Sequence, residues 1–116
     1  MVLCIDYSDS MGYIRGRLME VEFDDEALAR LETDAMFTAG FGRDVIRGFR
    51  KAMQAIRAAV DERDLHRGGA RMEKLKGARQ HQNSVRLNVQ WRLIVEVDDR
   101  GPHRTIRVVA IEDYHH

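Results

Sequence analysis

The sequence has almost no cysteine: Cys4 is the single one among 116 residues. An internal disulfide is therefore excluded, and there is no thiol cluster that could hold zinc. The five histidines are scattered without the spacing of metal ligands, so we predict no metal and no other cofactor. A chain without disulfides is typical of the reducing cytoplasm, which is where we expect this protein to work.

Long hydrophobic runs are missing as well. No apolar run approaches the roughly 20 residues that a membrane-spanning helix needs, so we expect no membrane partner. Residues 1–17 carry acids where a secretory signal needs bases, and we do not interpret them as a signal peptide. We expect residues 1–18 to form a loosely ordered leader and residues 19–116 to form one domain, a length that can bury one modest core.

The chain also lacks net charge, but its charges are unevenly distributed. Residues 1–42 carry three Lys or Arg and nine Asp or Glu, whereas residues 43–116 carry sixteen and ten. A basic half suggests a face directed at a polyanion such as nucleic acid. Counter-charges shared between neighbouring elements explain the same asymmetry equally well, so composition leaves both explanations open.

The first half of the chain predicts one strand and two helices. Period-two alternation predicts a strand over residues 18–23. Asp24 or Asp25 can then cap a helix that Gly40 and Gly42 bring to an end. Apolar residues three and four apart predict a second helix over residues 43–60, with a basic opposite side.

The second half predicts consecutive strands after a loop at residues 61–70. The predicted strands are 72–75, 84–89, 91–97 and 105–111, joined by a basic turn at 76–82 and a hairpin turn at 98–102. Connections this short indicate an α+β domain. We expect one strand, then two helices packed on a small twisted antiparallel sheet of three to four further strands.

Three short motifs in the last third resemble those of a known family. They are Leu75-Lys76-Gly77 with Arg79, the run SVRLNVQWRL from Ser84 to Leu93, and the ending Asp113-Tyr114-His115. In this order and spacing they resemble the HigB-type toxins, the host-inhibition or killer proteins of bacterial type II toxin–antitoxin modules. The resemblance covers about residues 19–116 and implies the RelE/ParE-like fold. Ala78 replaces an acid common in the family's basic turn, and Glu73 stands where some members have histidine.

The resemblance also implies an activity: a ribosome-dependent endoribonuclease that cuts messenger RNA in the A site without a metal and so inhibits translation. Such a reaction needs a base for the ribose 2′-OH, cations for the phosphorane-like transition state and an acid for the 5′-oxygen. The implied partners are a HigA-like helix-turn-helix antitoxin, the 70S ribosome and messenger RNA. Operator DNA would be contacted only through the antitoxin complex.

The chain offers candidates for each of these roles. His115 carries a side chain that titrates near neutrality and can act as acid or base, and Tyr114 can stack on a base. Asp113 and Glu73 can accept a proton or orient a histidine, and Arg92 can hold the phosphate. The candidate RNA-binding or phosphate-binding residues are Lys74, Lys76, Arg79 and Arg86. The candidate antitoxin surface is either the second helix, with Arg43, Arg47, Arg50 and Lys51, or the edge of the sheet.

Plainer explanations exist for the same residues. The ending can be a solvated chain terminus, Arg92 can form an ion pair with Glu96 or Glu112, and Lys76 and Arg79 can belong to an ordinary exposed turn. Two other functions stay open at this point. One is a ParE-like poison of DNA gyrase, which needs no acid–base groups, and the other is an inactive relative that binds RNA or antitoxin.

Overall fold

The computed structural model describes residues 20–68, 70–99 and 104–113. The described residues form three α-helices, five strands and one 3₁₀ turn. In chain order these are β1 (Glu20–Phe23), α1 (Glu26–Thr33), α2 (Arg43–Ala58), α3 (Glu62–Arg67), β2 (Glu73–Lys74), the 3₁₀ turn (Gly77–Arg79), β3 (Asn83–Arg86), β4 (Trp91–Asp98) and β5 (Thr105–Asp113). The predicted α+β class is confirmed. The predicted leader, most of the hairpin turn, Tyr114 and His115 lie outside the described residues.

The strands form one mixed sheet in the order β1-β5-β4-β3-β2. The four strands after the helices pair antiparallel, as predicted. β1 joins the edge beside β5 and runs parallel to it. A parallel pair needs a long crossover connection, and here all three helices and three other strands lie between β1 and β5 in the chain. The alternation of apolar residues predicted the strand β1 but not its parallel pairing with β5.

The first helix is shorter than predicted. Asp25 caps α1 by accepting a hydrogen bond from the N–H of Ala27 at 2.9 Å. The helix ends at Thr33 because the carboxylate of Asp34 accepts from the N–H of Met36 at 3.0 Å and turns the chain. The predicted end of this helix at Gly40 and Gly42 is therefore wrong. Gly40 instead lies in the segment between α1 and α2, with a φ of +83°.

The stretch predicted as a loop at residues 61–70 contains α3. Asp61 caps this helix through its side chain, which accepts from the N–H of Asp64 at 3.1 Å. Leu65 is its one fully buried side chain. A six-residue helix with a single apolar anchor has no readable period, which explains why hydrophobic spacing did not detect it.

α2 supplies most of the helical side of the core. Its buried side chains are Val45, Ile46, Phe49, Ala52, Met53 and Ile56. They pack in one cluster with Val85, Leu87, Leu93, Val95, Ile106 and Val108 from the sheet and the turn that follows β3. Trp91 packs against this cluster and meets Phe41 edge-on at 5.7 Å between ring centroids. The second helix was predicted to extend to Val60. Instead, α2 ends at Ala58, and Val60 is 48% exposed.

The sheet presents charged side chains on its other face. Arg92 pairs in register with Glu112, and Glu96 pairs with Arg107. We call the surface formed by these four residues the polar face. β3 ends at Arg86, so the prediction of a strand over 84–89 is wrong at its end, and Val89 is 89% exposed in the turn. Within the described part of the chain, no helix is long and apolar enough to cross a membrane.

Candidate active site

A groove of about 380 Å³ lies where β2, β3 and β4 meet, and we call it the sheet groove. It brings together three of the predicted site residues, Glu73, Arg86 and Arg92. The register of the strands explains this, since Glu73 pairs with Ser84 and Arg86 pairs with Arg92. The complete lining is Arg71, Glu73, Ser84, Arg86, Asn88, Val89, Trp91 and Arg92.

The charges of the sheet groove suit a phosphodiester. Among the described residues that line it, Glu73 is the one carboxylate, and Arg71, Arg86 and Arg92 are guanidinium cations. Guanidinium groups bind phosphate oxygens through forked hydrogen bonds. A carboxylate beside them can accept a proton from a hydroxyl group that attacks the phosphorus. The groove thus contains the kinds of group that phosphoryl transfer requires.

The side chain of Arg92 is largely buried, with 18% of its surface exposed. Its Nη2 atom lies 3.8 Å from Oε1 of Glu112. Of the two acids considered for it from sequence, Glu112 is thus in ion-pair contact, while Glu96 accepts a hydrogen bond from Arg107 at 3.2 Å. Arg92 is thus in an ion pair with Glu112, as the plainer explanation has it, and it also lines the sheet groove; its role in a site stays a prediction.

Arg79 makes the strongest contact of this region. Its Nη1 and Nη2 atoms donate to the two carboxylate oxygens of Glu112 at 3.0 Å each. Its Nε atom donates to Oε1 of Gln82 at 2.9 Å. Arg79 was predicted to bind phosphate, but its fork is occupied by protein groups in this structure.

Three further predicted residues, Lys74, Lys76 and Asp113, are not part of the lining of the sheet groove. Lys74 follows Glu73 on β2 and is exposed, as is Lys76 immediately before the 3₁₀ turn. Asp113 ends β5, pairs in register with Trp91, and accepts a hydrogen bond from Nε2 of Gln90 at 3.3 Å. Tyr114 and His115 lie outside the described residues, so their roles stay predictions.

Two residues of this region were not selected from sequence as site residues. Arg71 lines the sheet groove and has a φ of +47°, which is rare for a residue with a side chain. Arg71 belongs to no periodic pattern of apolar residues in the sequence. Glu112 was considered only as an ion-pair partner. Counting outward from the β4–β5 hairpin would pair Arg92 with Ile111, and a register shift between Ile94 and Val95 places Glu112 opposite Arg92 instead. Among the described residues, no three His, Cys, Asp or Glu side chains converge as a metal site requires.

A second groove, of about 740 Å³, lies between α2 and the segment that precedes it, and we call it the basic groove. All four residues predicted to bind an antitoxin line it, together with apolar side chains such as Phe37, Phe41 and Ile46. The four residues are Arg43, Arg47, Arg50 and Lys51. Arg50 differs from the others because it donates to the carbonyls of Leu31 and Asp34 at 3.1 and 3.0 Å.

Solved structures with the same architecture identify the fold. A YoeB/ParE toxin from Agrobacterium tumefaciens superposes with a TM-score of 0.54 at 17% identity, over 84% of this chain and all of the other. The YoeB-YefM complex from Staphylococcus aureus contains a chain that superposes with a TM-score of 0.53 at 21% identity, over 84% and 98%. The protein thus has the fold of the YoeB/ParE toxins.

The sequence identifies the family within this fold. The model of the HigB-like toxins matches residues 21–107. The chain therefore belongs to this family, the RelE-like toxins of type II toxin–antitoxin systems. The resemblance deduced from the three motifs is confirmed. No curated protein shows significant sequence similarity to the chain.

Proposed function

We propose that this toxin is a ribosome-dependent endoribonuclease that cuts messenger RNA in the A site by metal-free acid–base attack of the ribose 2′-OH. The observation that carries the proposal is the sheet groove. Glu73 lines it together with the guanidinium groups of Arg71, Arg86 and Arg92. Membership in a family of RelE-like toxins supports the same activity. A gyrase poison has no need of a carboxylate base beside phosphate-binding cations.

The proposed reaction assigns one step to each group. Glu73 removes the proton from the 2′-OH, whose oxygen attacks the adjacent phosphorus. Arg92 and Arg86 stabilise the added negative charge on the non-bridging oxygens. The bond to the 5′-oxygen breaks, a 2′,3′-cyclic phosphate forms, and an acid protonates the leaving oxygen. We assign that acid to the ending of the chain, with His115 as donor and Asp113 and Tyr114 as its neighbours.

The proposed partners are those that the family resemblance implies, and the charge of the two grooves is compatible with them. Messenger RNA on the 70S ribosome would occupy the sheet groove, with Lys74 and Lys76 contacting neighbouring phosphates. A HigA-like helix-turn-helix antitoxin would occupy the basic groove, where Arg43, Arg47 and Lys51 are exposed around apolar side chains. An acidic amphipathic segment fits both properties of that surface. Operator DNA would be reached only through the antitoxin.

The test is cleavage of messenger RNA bound to purified ribosomes, mapped by primer extension. We expect wild-type protein to cut ribosome-bound but not free messenger RNA. Glu73→Gln and Arg92→Gln should each lower the rate by about 100-fold or more, since each removes a group acting in the transition state. Glu26→Gln and Arg63→Gln are matched controls on exposed helical sites. Gyrase–DNA cleavage complexes without any cut in messenger RNA would overturn the proposal and select the ParE-like alternative.

A further inference from the structure

A row of polar side chains crosses the polar face and extends to the 3₁₀ turn. Glu112 contacts Arg92 on one side and Arg79 on the other. Arg79 continues the row to Gln82, whose Nε2 atom donates to Glu96 at 3.0 Å. Glu112 therefore lies between a cation of the sheet groove and a cation that comes from a separate turn.

Arg79 and Arg92 lie at different distances from the carboxylate of Glu112. Arg79 occupies both carboxylate oxygens with hydrogen bonds of 3.0 Å. Arg92 approaches no closer than 3.8 Å in its ion pair with the same group. A separation of 3.8 Å is too long for a hydrogen bond but close enough for Coulomb attraction. Glu112 attracts Arg92 without holding it in a forked pair.

Because of the strand register, the carboxylate of Glu112 can compete with a phosphate for the guanidinium of Arg92. The two residues face each other across β4 and β5, and opposite charges at such positions attract. A forked guanidinium–carboxylate pair between them would be strong and directional. It would draw the guanidinium toward β5 and make it unavailable to a phosphate. Arg79 competes for that pair, since both oxygens of Glu112 already accept hydrogen bonds from its guanidinium.

We propose that Arg79 is a positioning residue that keeps Glu112 from capturing Arg92, rather than a residue that contacts the phosphate of the RNA. The inference rests on the proposed function, in which Arg92 binds the scissile phosphate. It gives Arg79 a role different from the phosphate contact predicted from sequence. It also explains why an acid is tolerated beside a phosphate-binding cation: its charge is already matched.

The experiment is a rescue test in the ribosome-bound cleavage assay. In Arg79→Gln the carboxylate of Glu112 is released and pairs with Arg92, so we expect kcat/KM to fall by about tenfold or more. In the double variant Arg79→Gln/Glu112→Gln no carboxylate remains to capture Arg92. We expect that variant to recover to within about threefold of wild type. Its net charge equals that of the wild-type protein.

Other roles for Arg79 predict different outcomes. If Arg79 contacted phosphate, adding Glu112→Gln to Arg79→Gln would restore nothing, and that result would overturn the inference. If the pair only fastened the 3₁₀ turn to the sheet, Glu112→Gln alone would be as damaging as Arg79→Gln, and the double variant would stay impaired. Either result removes the proposed positioning role.

Controls separate this inference from folding and from the proposed function. Arg57 forms a similar forked pair with Glu32, away from the sheet groove, so Arg57→Gln should leave cleavage unchanged. Thermal unfolding reports whether each variant is folded. If Arg79→Gln does not fold, Arg79→Lys takes its place. Lysine keeps the positive charge but cannot form a forked pair, so we expect Arg79→Lys to lower kcat/KM and the addition of Glu112→Gln to restore it. Normal cleavage by Arg92→Gln would refute the proposed phosphate contact itself; an inactive Arg92→Gln with a fully active Arg79→Gln would refute only the positioning role.

Discussion

Gly48 shows how a single residue can set the distance between a helix and the sheet. A Cβ atom at this position would overlap the backbone carbonyl of Leu87, which lies in the turn after β3. Nearby, Nδ2 of Asn88 donates to the carboxylate of Asp44 at 2.7 Å. The missing side chain therefore lets the β3–β4 turn, one wall of the sheet groove, lie directly on α2.

We expect Gly48→Ala to destabilise the protein, although alanine normally favours a helix. The overlap forces the turn away from α2, and overpacking of this kind costs about 1–3 kcal/mol. Urea denaturation measures the change in the free energy of unfolding. Gln54→Ala, at an exposed position of the same helix, should change it by less than about 0.5 kcal/mol. A Gly48→Ala variant as stable as wild type would show that the close approach does not exist.

The carboxyl group of Asp34, just after the end of α1, has a lowered pKa. The N–H of Met36, and then the guanidinium of Arg30, hold the pKa of its carboxyl below the ordinary value. A pKa that is lower in the folded than in the unfolded chain stabilises the fold above the unfolded pKa, and this contribution disappears as the pH falls through the folded pKa. We expect Asp34→Asn to lower Tm at pH 7, with the gap closing as the pH falls below about 4. Calorimetry across pH tests this, and a gap of constant size would contradict it.

At the scale of elements, Arg50 connects the two long helices. It lies on α2 and donates to the carbonyl of Leu31 in the last turn of α1 and to that of Asp34 just after the helix. Carbonyls in a last turn lack partners within their helix. We therefore expect Arg50→Met to cost about 2 kcal/mol of stability, the loss of hydrogen bonds from a charged donor. Arg47→Met, one turn away and exposed, should leave the urea midpoint unchanged. Equal midpoints for both variants would show that the Arg50 contacts contribute nothing.

The elements also show which features a sequence can reveal. Periodic apolar spacing located α2, β4 and β5, because long amphipathic elements repeat their signal several times. It missed α3, whose one buried anchor is Leu65. It placed Val89 in a strand, whereas Asn88 accepts from the N–H groups of Gln90 and Trp91 and closes a turn there. Local side-chain hydrogen bonds decide such boundaries, and hydrophobic spacing does not detect them.

At the scale of the whole molecule, the candidate site depends on contacts between distant segments. Glu73, Arg86 and Arg92 were predicted as site residues from sequence, and the strand register brings them into one groove, because hairpin register follows from short connections. Their roles stay predictions. The pairing of Arg79 with Glu112 joins residues 33 positions apart through a turn, and no spacing rule predicts it. The same is true of the left-handed backbone at Arg71.

The uneven charge of the chain has two consequences in the folded molecule. Some of the basic half pairs with the acidic half: Arg57 with Glu32, and Arg107 with Asp24. Arg43, Arg47 and Lys51 instead surround the basic groove and are exposed. Shared counter-charges thus explain part of the asymmetry, and a face directed at a polyanion stays a prediction for the exposed residues. These three residues are available to a partner, and none of them lines the sheet groove.

This separation predicts that neutralisation by antitoxin and cleavage of RNA can be uncoupled. We expect the triple variant Arg43→Glu/Arg47→Glu/Lys51→Glu to keep cutting ribosome-bound messenger RNA, since it leaves the lining of the sheet groove intact. It should escape an acidic antitoxin segment, because like charges across an interface repel. Growth of cells expressing toxin and antitoxin together measures escape. Reversing Arg63, Arg67 and Arg104, which are exposed elsewhere, should leave neutralisation intact. Full neutralisation of the first triple variant would place the antitoxin on another surface, whereas loss of cleavage would mean that α2 takes part in binding the ribosome.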